Sequence, residues 1–92
     1  MDNQQRFTIN SEFQVEQFDN EILLYSIADS KGIYLNETAF LIWEICGKGY
    51  SLEKVVSLLA EAYPQSKEDI QQDVMTTIES LVKDGVLVVA DE

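Results

Sequence analysis

Glu21-Ile22-Leu23-Leu24-Tyr25-Ser26-Ile27, then Asp29-Ser30-Lys31-Gly32, then Ile33-Tyr34-Leu35-Asn36-Glu37: the fold class is decided in this stretch. Its first segment is rich in β-branched and aromatic residues, which predicts a strand. The second is a turn cluster, and Ile33-Tyr34-Leu35 is a short strand beyond it. Asn36 is a good N-cap, and Glu37 places negative charge in the first turn of the helix that follows. Working upstream, Phe13-Gln14-Val15-Glu16 alternates apolar with polar, the period of a strand with one face on a core. Asp19-Asn20 tolerates turn geometry and can close a hairpin. The connectors are too short for crossovers, so the three strands form an antiparallel meander. Arg6 to Ile9 adds either a brief strand or part of a loose arm over residues 1–8.

Downstream, the pattern turns helical. Ala39, Phe40, Leu41, Ile42, Trp43, Ile45 and Cys46 are apolar almost all round, so the first helix is expected between other elements. Gly47 suits a left-handed stop. Ser51 caps a second helix with Leu52, Val55, Val56, Leu59 and Tyr63 on one stripe, and Pro64 ends it. Ser66-Lys67-Glu68-Asp69 resembles a capping box. The third helix places Ile70, Val74, Ile78 and Leu81 on one face, flanked by Met75 and Val82, and stops at Gly85. Val86 to Val89 can add a last short strand. The expected class is α+β and winged-helix-like: a three-stranded antiparallel sheet followed by three helices, in one domain over residues 1–92.

Composition narrows the function. Six Lys and Arg against seventeen Asp and Glu give a net charge of −11. Phosphate recognition draws its affinity from cations, so neither nucleic acid nor an anionic membrane surface is an expected partner. The third helix, which would read DNA in a winged-helix regulator, holds only Lys67 and Lys83 against Glu68, Asp69, Asp73 and Glu79. There is no His, so the commonest general base and metal ligand are missing. One cysteine, Cys46, fits a reducing cytosol. No apolar run reaches the roughly 20 residues of a membrane span, and Met1 to Asn10 lacks the shape of a signal peptide.

No candidate catalytic motif survives inspection. Gly47-Lys48-Gly49 lacks the strand and remaining glycines of a phosphate loop and reads as a helix stop. Glu68, Asp69 and Asp73 read as a solvated helix start. Cys46 reads as a small buried hydrophobe, and Phe40, Trp43 and Tyr63 as core. The expectation is a cytoplasmic binding module, not an enzyme, with no metal and no cofactor. The third strand, Gly32 to Leu35, lies at a sheet edge. Such an edge accepts an extended peptide, or is simply kept short against aggregation, and edge physics alone favours the second.

Tyr34-Leu35-Asn36-Glu37-Thr38-Ala39, then Ile42-Trp43-Glu44-Ile45 and Gly47, resembles the signature of the PqqD-like family. Ser51-Leu52-Glu53, Leu58-Leu59-Ala60 to Tyr63, Asp73-Val74, Leu81 and Gly85-Val86-Leu87 match in order and spacing, so the likeness runs from about Ile9 to Val89. Thr77 departs from the pattern, standing where the family often has a bulky apolar residue. The resemblance implies a recognition element for ribosomally made, post-translationally modified peptides, acting as a peptide chaperone. Such a protein holds the leader of a precursor peptide and presents it to a modifying enzyme, often a radical S-adenosylmethionine enzyme or, in other pathways, a leader peptidase. Pyrroloquinoline quinone, lasso and sactipeptide-type products come from such pathways. The leader is expected as a strand beside Gly32, Ile33, Tyr34 and Leu35, in the groove between the third strand and the third helix. Ile70, Val74, Ile78 and Leu81 then form an apolar wall, with Asp73 and Thr77 at one rim. The alternative is a winged-helix transcription regulator or another protein-interaction module.

Overall fold

The strands are β1 (Phe7–Ile9), β2 (Gln14–Phe18), β3 (Glu21–Ser26), β4 (Lys31–Leu35) and β5 (Leu87–Val89), and the helices are α1 (Glu37–Cys46), α2 (Leu52–Ala62) and α3 (Lys67–Lys83). They come from a computed structural model that describes residues 2–19 and 21–90, with Ser66 and Lys67 described by their backbone alone. The central sheet has the order β2-β3-β4 and is antiparallel throughout. Its register sets Leu24 opposite both Val15 and Ile33, and Leu23 opposite Tyr34. The period of two sends Ile22, Leu24 and Leu35 into the core, while Leu23 and Tyr25 stay half-buried on the other face. Asp19 takes a positive φ of 52° in the β2–β3 turn, and its expected turn partner Asn20 lies outside the described residues.

The first strand of the meander departs from expectation. None of the five residues of β2 is buried. Phe13, which leads into it, is buried, but Val15 and Phe18 are exposed. Alternation shows which residues share a face and not whether anything covers that face. Here β2 is packed extensively against β3 alone.

Of the two alternatives for Arg6 to Ile9, the strand forms. β1 pairs antiparallel with β5, Phe7 opposite Val89 and Ile9 opposite Leu87, and Phe7 enters the core. The chain before it is tied down as well. The carbonyls of Asn3 and Gln5 accept hydrogen bonds from the backbone N–H groups of Glu53 and Leu52 at the start of α2. A loose arm over residues 1–8 is thereby corrected for the described residues.

The helix ends follow local chemistry. Asn36 Oδ1 accepts from the Ala39 N–H at 2.8 Å, and Ser51 Oγ from the Lys54 N–H at 3.2 Å. At the end of α3 the Val86 N–H donates to the Leu81 carbonyl and the Gly85 N–H to that of Val82, with Gly85 at φ 86°. That is a Schellman stop built on the glycine expected for it. The capping expectation for Ser66 concerns a side chain outside the described ones. Gly47 is corrected: its φ is −66°, and Gly49, at φ 87°, takes the left-handed position. Gly47 matters through close approach, because a Cβ there would lie 2.2 Å from Ile9 Cδ1.

α1 packs against α2, α3, β1 and β4, which accounts for its near-continuous apolar sequence. Ile42, Trp43 and Cys46 are buried in it. The buried stripes of α2 (Leu52, Val55, Leu59) and α3 (Ile70, Val74, Ile78, Leu81) meet it in one core. Tyr63, expected at the end of the α2 stripe, is exposed, because the chain leaves the helix at Ala62 and enters a short 3-10 turn at Pro64.

Candidate functional site

Among the described residues, β4 has β3 on one side and no strand on the other. In an antiparallel edge, alternate residues turn their N–H and C=O away from the partner, which leaves an unpaired ladder along the open side. Ile33 and Leu35 send their side chains inward, Ile33 half-buried and Leu35 buried, while Tyr34 is 66% exposed. Gly32 adds no side chain, and a Cβ there would approach Leu23 Cδ1 at 3.3 Å.

α3 runs past this edge without closing on it, and a groove of about 350 Å³ lies between them. Ile33, Tyr34 and Leu35 line one side and Thr76, Thr77, Ser80, Leu81 and Asp84 the other. One end is bridged where Lys31 Nζ donates to the backbone carbonyl of Asp84. The other end opens over Asn36 and Ala39, at the start of α1.

The expected site residues divide among three places. Ile33, Tyr34, Leu35, Thr77 and Leu81 line the groove, and Gly32 lies on its edge strand. Ile70, Asp73 and Val74 line a separate cavity of about 170 Å³ beside it, which shares Thr77 with the groove. Ile78 is fully buried in the core and lines neither. The apolar wall expected on α3 is therefore a core face, and the groove side of the helix is mostly polar. A helix stripe at 3.6 spacing identifies the face that leaves water, and here the core takes it.

Thr76, Ser80 and Asp84 are groove residues that the sequence reading missed, as are Asn36 and Ala39. The signal was present as an i, i+4, i+8 row of small or polar residues beside Leu81. Thr76 is also held in place, its Oγ1 accepting from Gln72 Nε2 at 3.1 Å.

Among the described residues, the groove lining includes no Cys, Lys or Arg, and its titratable side chains are Tyr34 and Asp84. The Cys46 thiol is buried, and desolvation pushes its pKa up to about 12, so it stays protonated. Among the described residues, no cluster of three or more His, Cys, Asp or Glu is placed to hold a metal ion. No helix among them is long and apolar enough to cross a membrane. The arrangement can pair backbone to backbone, and it can seat side chains between β4 and α3.

Comparison with known proteins bears on what it pairs with. Residues 21–87 match the family model described as "Coenzyme PQQ synthesis protein D (PqqD)". No curated protein matches the chain significantly. Among solved structures, the chain is similar to "Lasso peptide synthetase B1 complexed with the leader peptide", at 26% identity and a TM-score of 0.77, covering 90% of this chain and 98% of that one. It shares its fold with the protein of "TbiB1 in Complex with the TbiA(beta) Leader Peptide", at 16% identity and a TM-score of 0.75, covering 92% and 99% of the two chains.

Proposed function

We propose a function from one premise: the chain belongs to the PqqD family. It binds the leader segment of a ribosomally synthesised precursor peptide and presents that peptide to a modifying enzyme. The observation that carries this is the open edge of β4 facing a groove along α3, in a chain similar to a lasso peptide synthetase B1 solved with its leader peptide. An extended leader adds as a strand beside Gly32 to Leu35. Backbone hydrogen bonds supply affinity, and alternate side chains that dip between β4 and α3 supply selectivity. Thr77 and Leu81 meet those side chains, and Asp73, Val74 and Ile70 act just beyond them. Ile78 supports the wall from the core.

The role is recognition, not catalysis. The chemistry belongs to the partner, a radical S-adenosylmethionine enzyme or a leader peptidase, and the assembly works in the cytoplasm. A disordered leader loses conformational freedom on binding, so only part of its gross contact energy is expressed as affinity. The transcription-regulator alternative is not favoured, since α3 offers acids where a phosphate groove needs cations.

Amide shifts test the proposal. The protein is titrated with a synthetic leader taken from a short precursor sought among the neighbouring reading frames. Shifts are expected to cluster on Ile33 to Leu35 and on Thr76 to Asp84. Shifts that map instead to α2 or β1, with the fold intact, would overturn the groove assignment.

A further inference from the structure

The central sheet has a second face, turned away from the core. Its register lays Glu16, Leu23 and Tyr34 in one row across the three strands and Gln14, Tyr25 and Gly32 in the next. Phe18 stands opposite Glu21 and diagonal to Leu23. Because Ile22, Leu24 and Leu35 point into the core, the period of two turns these rows outward. Among the described residues they stay open to solvent: Tyr34 and Phe18 are exposed, Phe18 at 47%, and Leu23 and Tyr25 are only half-buried. Single exposed apolar residues are ordinary, whereas four neighbours on one open face mark an interaction surface.

Two details prepare this face for contact. Leu23 Cδ1 lies 3.3 Å from where a Cβ on Gly32 would be, so Leu23 spreads over the glycine and fills the place of its missing side chain. The Tyr25 hydroxyl donates to Gln14 Oε1 at 3.1 Å, which ties the ring to β2. Rings of this kind, already held in place, are what interface centres are built from. The charged side chains in these rows are Glu16 and Glu21, both exposed, with no Lys or Arg beside them. A second copy would set this acidic face against itself, and an anionic membrane would be repelled. The complementary surface is a protein face with an apolar centre and Lys or Arg around it.

We infer that the outer face of β2-β3-β4 is the docking surface for the modifying enzyme, which presents an apolar centre bordered by basic residues. The inference rests on the proposed function and deepens it by separating two contacts of one sheet, the edge for the peptide and the face for the enzyme. A leader paired with β4 becomes a fourth strand, widens the face by about 4.8 Å, and raises its alternate side chains beside Tyr34. The enzyme thus meets its substrate at the border of the surface it grips. Without the leader the face spans about 10 Å from β2 to β4 and about 17 Å along five residues. That is the centre of a small interface, the size class of transient encounters.

The probe is the modifying enzyme sought among the neighbouring reading frames, purified and added without leader to isotope-labelled protein. Amide shifts or line broadening are expected on residues 14–18 and 21–25 and on Tyr34. Phe18→Ser, and separately Glu16→Lys combined with Glu21→Lys, change exposed positions away from the groove. Each should weaken enzyme binding at least about tenfold while leader affinity and the melting temperature stay unchanged. Enzyme affinity unaltered in both variants, or broadening confined to the helices, overturns the docking face and leaves strand addition on β4 standing. Enzyme binding through this face with no leader shifts on Ile33 to Leu35 sinks strand addition and keeps the docking face. Sedimentation of the free protein tests the other occupant. A monomer is expected, and a dimer that Phe18→Ser dissociates would assign the face to a second copy and overturn the inference. If Phe18→Ser does not fold, the charge-reversed variant decides between the outcomes for the enzyme.

Discussion

Trp43 is held in two ways that can be separated. Its ring stacks near that of Phe40, with centroids 5.8 Å apart, and its Nε1 donates to the Val86 carbonyl at 3.0 Å, tying α1 to the turn after α3. Trp43→Phe keeps most of the packing but removes one of two donors to the Val86 carbonyl, which still accepts from the Asn10 N–H at 3.2 Å, a loss of about 0.5–1.5 kcal/mol. Trp43→Ala adds a cavity and should cost about 3–5 kcal/mol, a large share of a small domain's stability. Urea denaturation of both variants checks this. A Trp43→Phe variant as stable as the wild type would show that the hydrogen bond contributes nothing. Cys46 gives a second residue-level prediction. Its pKa is about 12 when folded against 9.0 for an unperturbed thiol. Below pH 9 both states carry the proton and the full stability is present. Between pH 9 and 12 the unfolded chain releases a proton that the fold retains, so stability falls as pH rises, by at most about 1.4 kcal/mol per unit. Denaturation midpoints of wild type and Cys46→Ala should converge over that window. A constant gap would refute the prediction. Both residues were legible as core from the apolar run around them. Gly47 was not, because sequence shows that a glycine is present but not whether the chain needs its φ or its missing Cβ.

Among the elements, the contrast between β2 and β3 is one that alternation cannot reveal. Val15 and Leu24 sit opposite each other, yet Val15 is 41% exposed and Leu24 wholly buried. Val15→Ala should change stability by less than about 0.5 kcal/mol. Leu24→Ala should cost about 2–5 kcal/mol. Comparable values from denaturant titration would mean that β2 is covered in solution. The helices were readable because their ends carry chemistry: Asn36 and Ser51 as caps, Gly85 as a stop. The edge position of β4 was readable once the strands formed a meander. The groove wall was not, since an apolar stripe reports burial without saying what buries it, and on α3 the core claims Val74 and Ile78. The polar row beside it carries its own prediction. Ser80 is exposed and lines the groove, so Ser80→Trp should fill the path proposed for the leader. Leader affinity should fall at least about tenfold, or about 1.4 kcal/mol, with the melting temperature little changed. Unchanged affinity in titration calorimetry would place the peptide elsewhere.

At the scale of the whole molecule, shape and charge act together. The protein measures 37 × 35 × 18 Å, a thin slab with grooves on its surface. Its net charge is −11, and its few cations are partly engaged at home. Arg6 donates to the Gly49 carbonyl and Lys31 to that of Asp84, so two of the six basic residues are tethered to backbone carbonyls at the surface. Duplex DNA, with a negative charge every ~1.7 Å of axis, meets repulsion on α3 from Glu68, Asp69, Asp73 and Glu79 with no compensating stripe of Lys or Arg. A leader or enzyme face carrying basic residues is attracted over the same surface. That attraction acts mainly on the association rate and is screened within about 10 Å at 0.1 M salt. The expected outcome is therefore paired. Fluorescence anisotropy at low salt should detect no sequence-dependent binding to duplex fragments. Stopped-flow mixing with a basic leader should show an association rate that falls steeply with added salt while the dissociation rate stays nearly constant. Salt-sensitive, sequence-dependent DNA binding would overturn the argument from charge. A leader association rate indifferent to salt would show that the acidic surface has no part in bringing the peptide to β4.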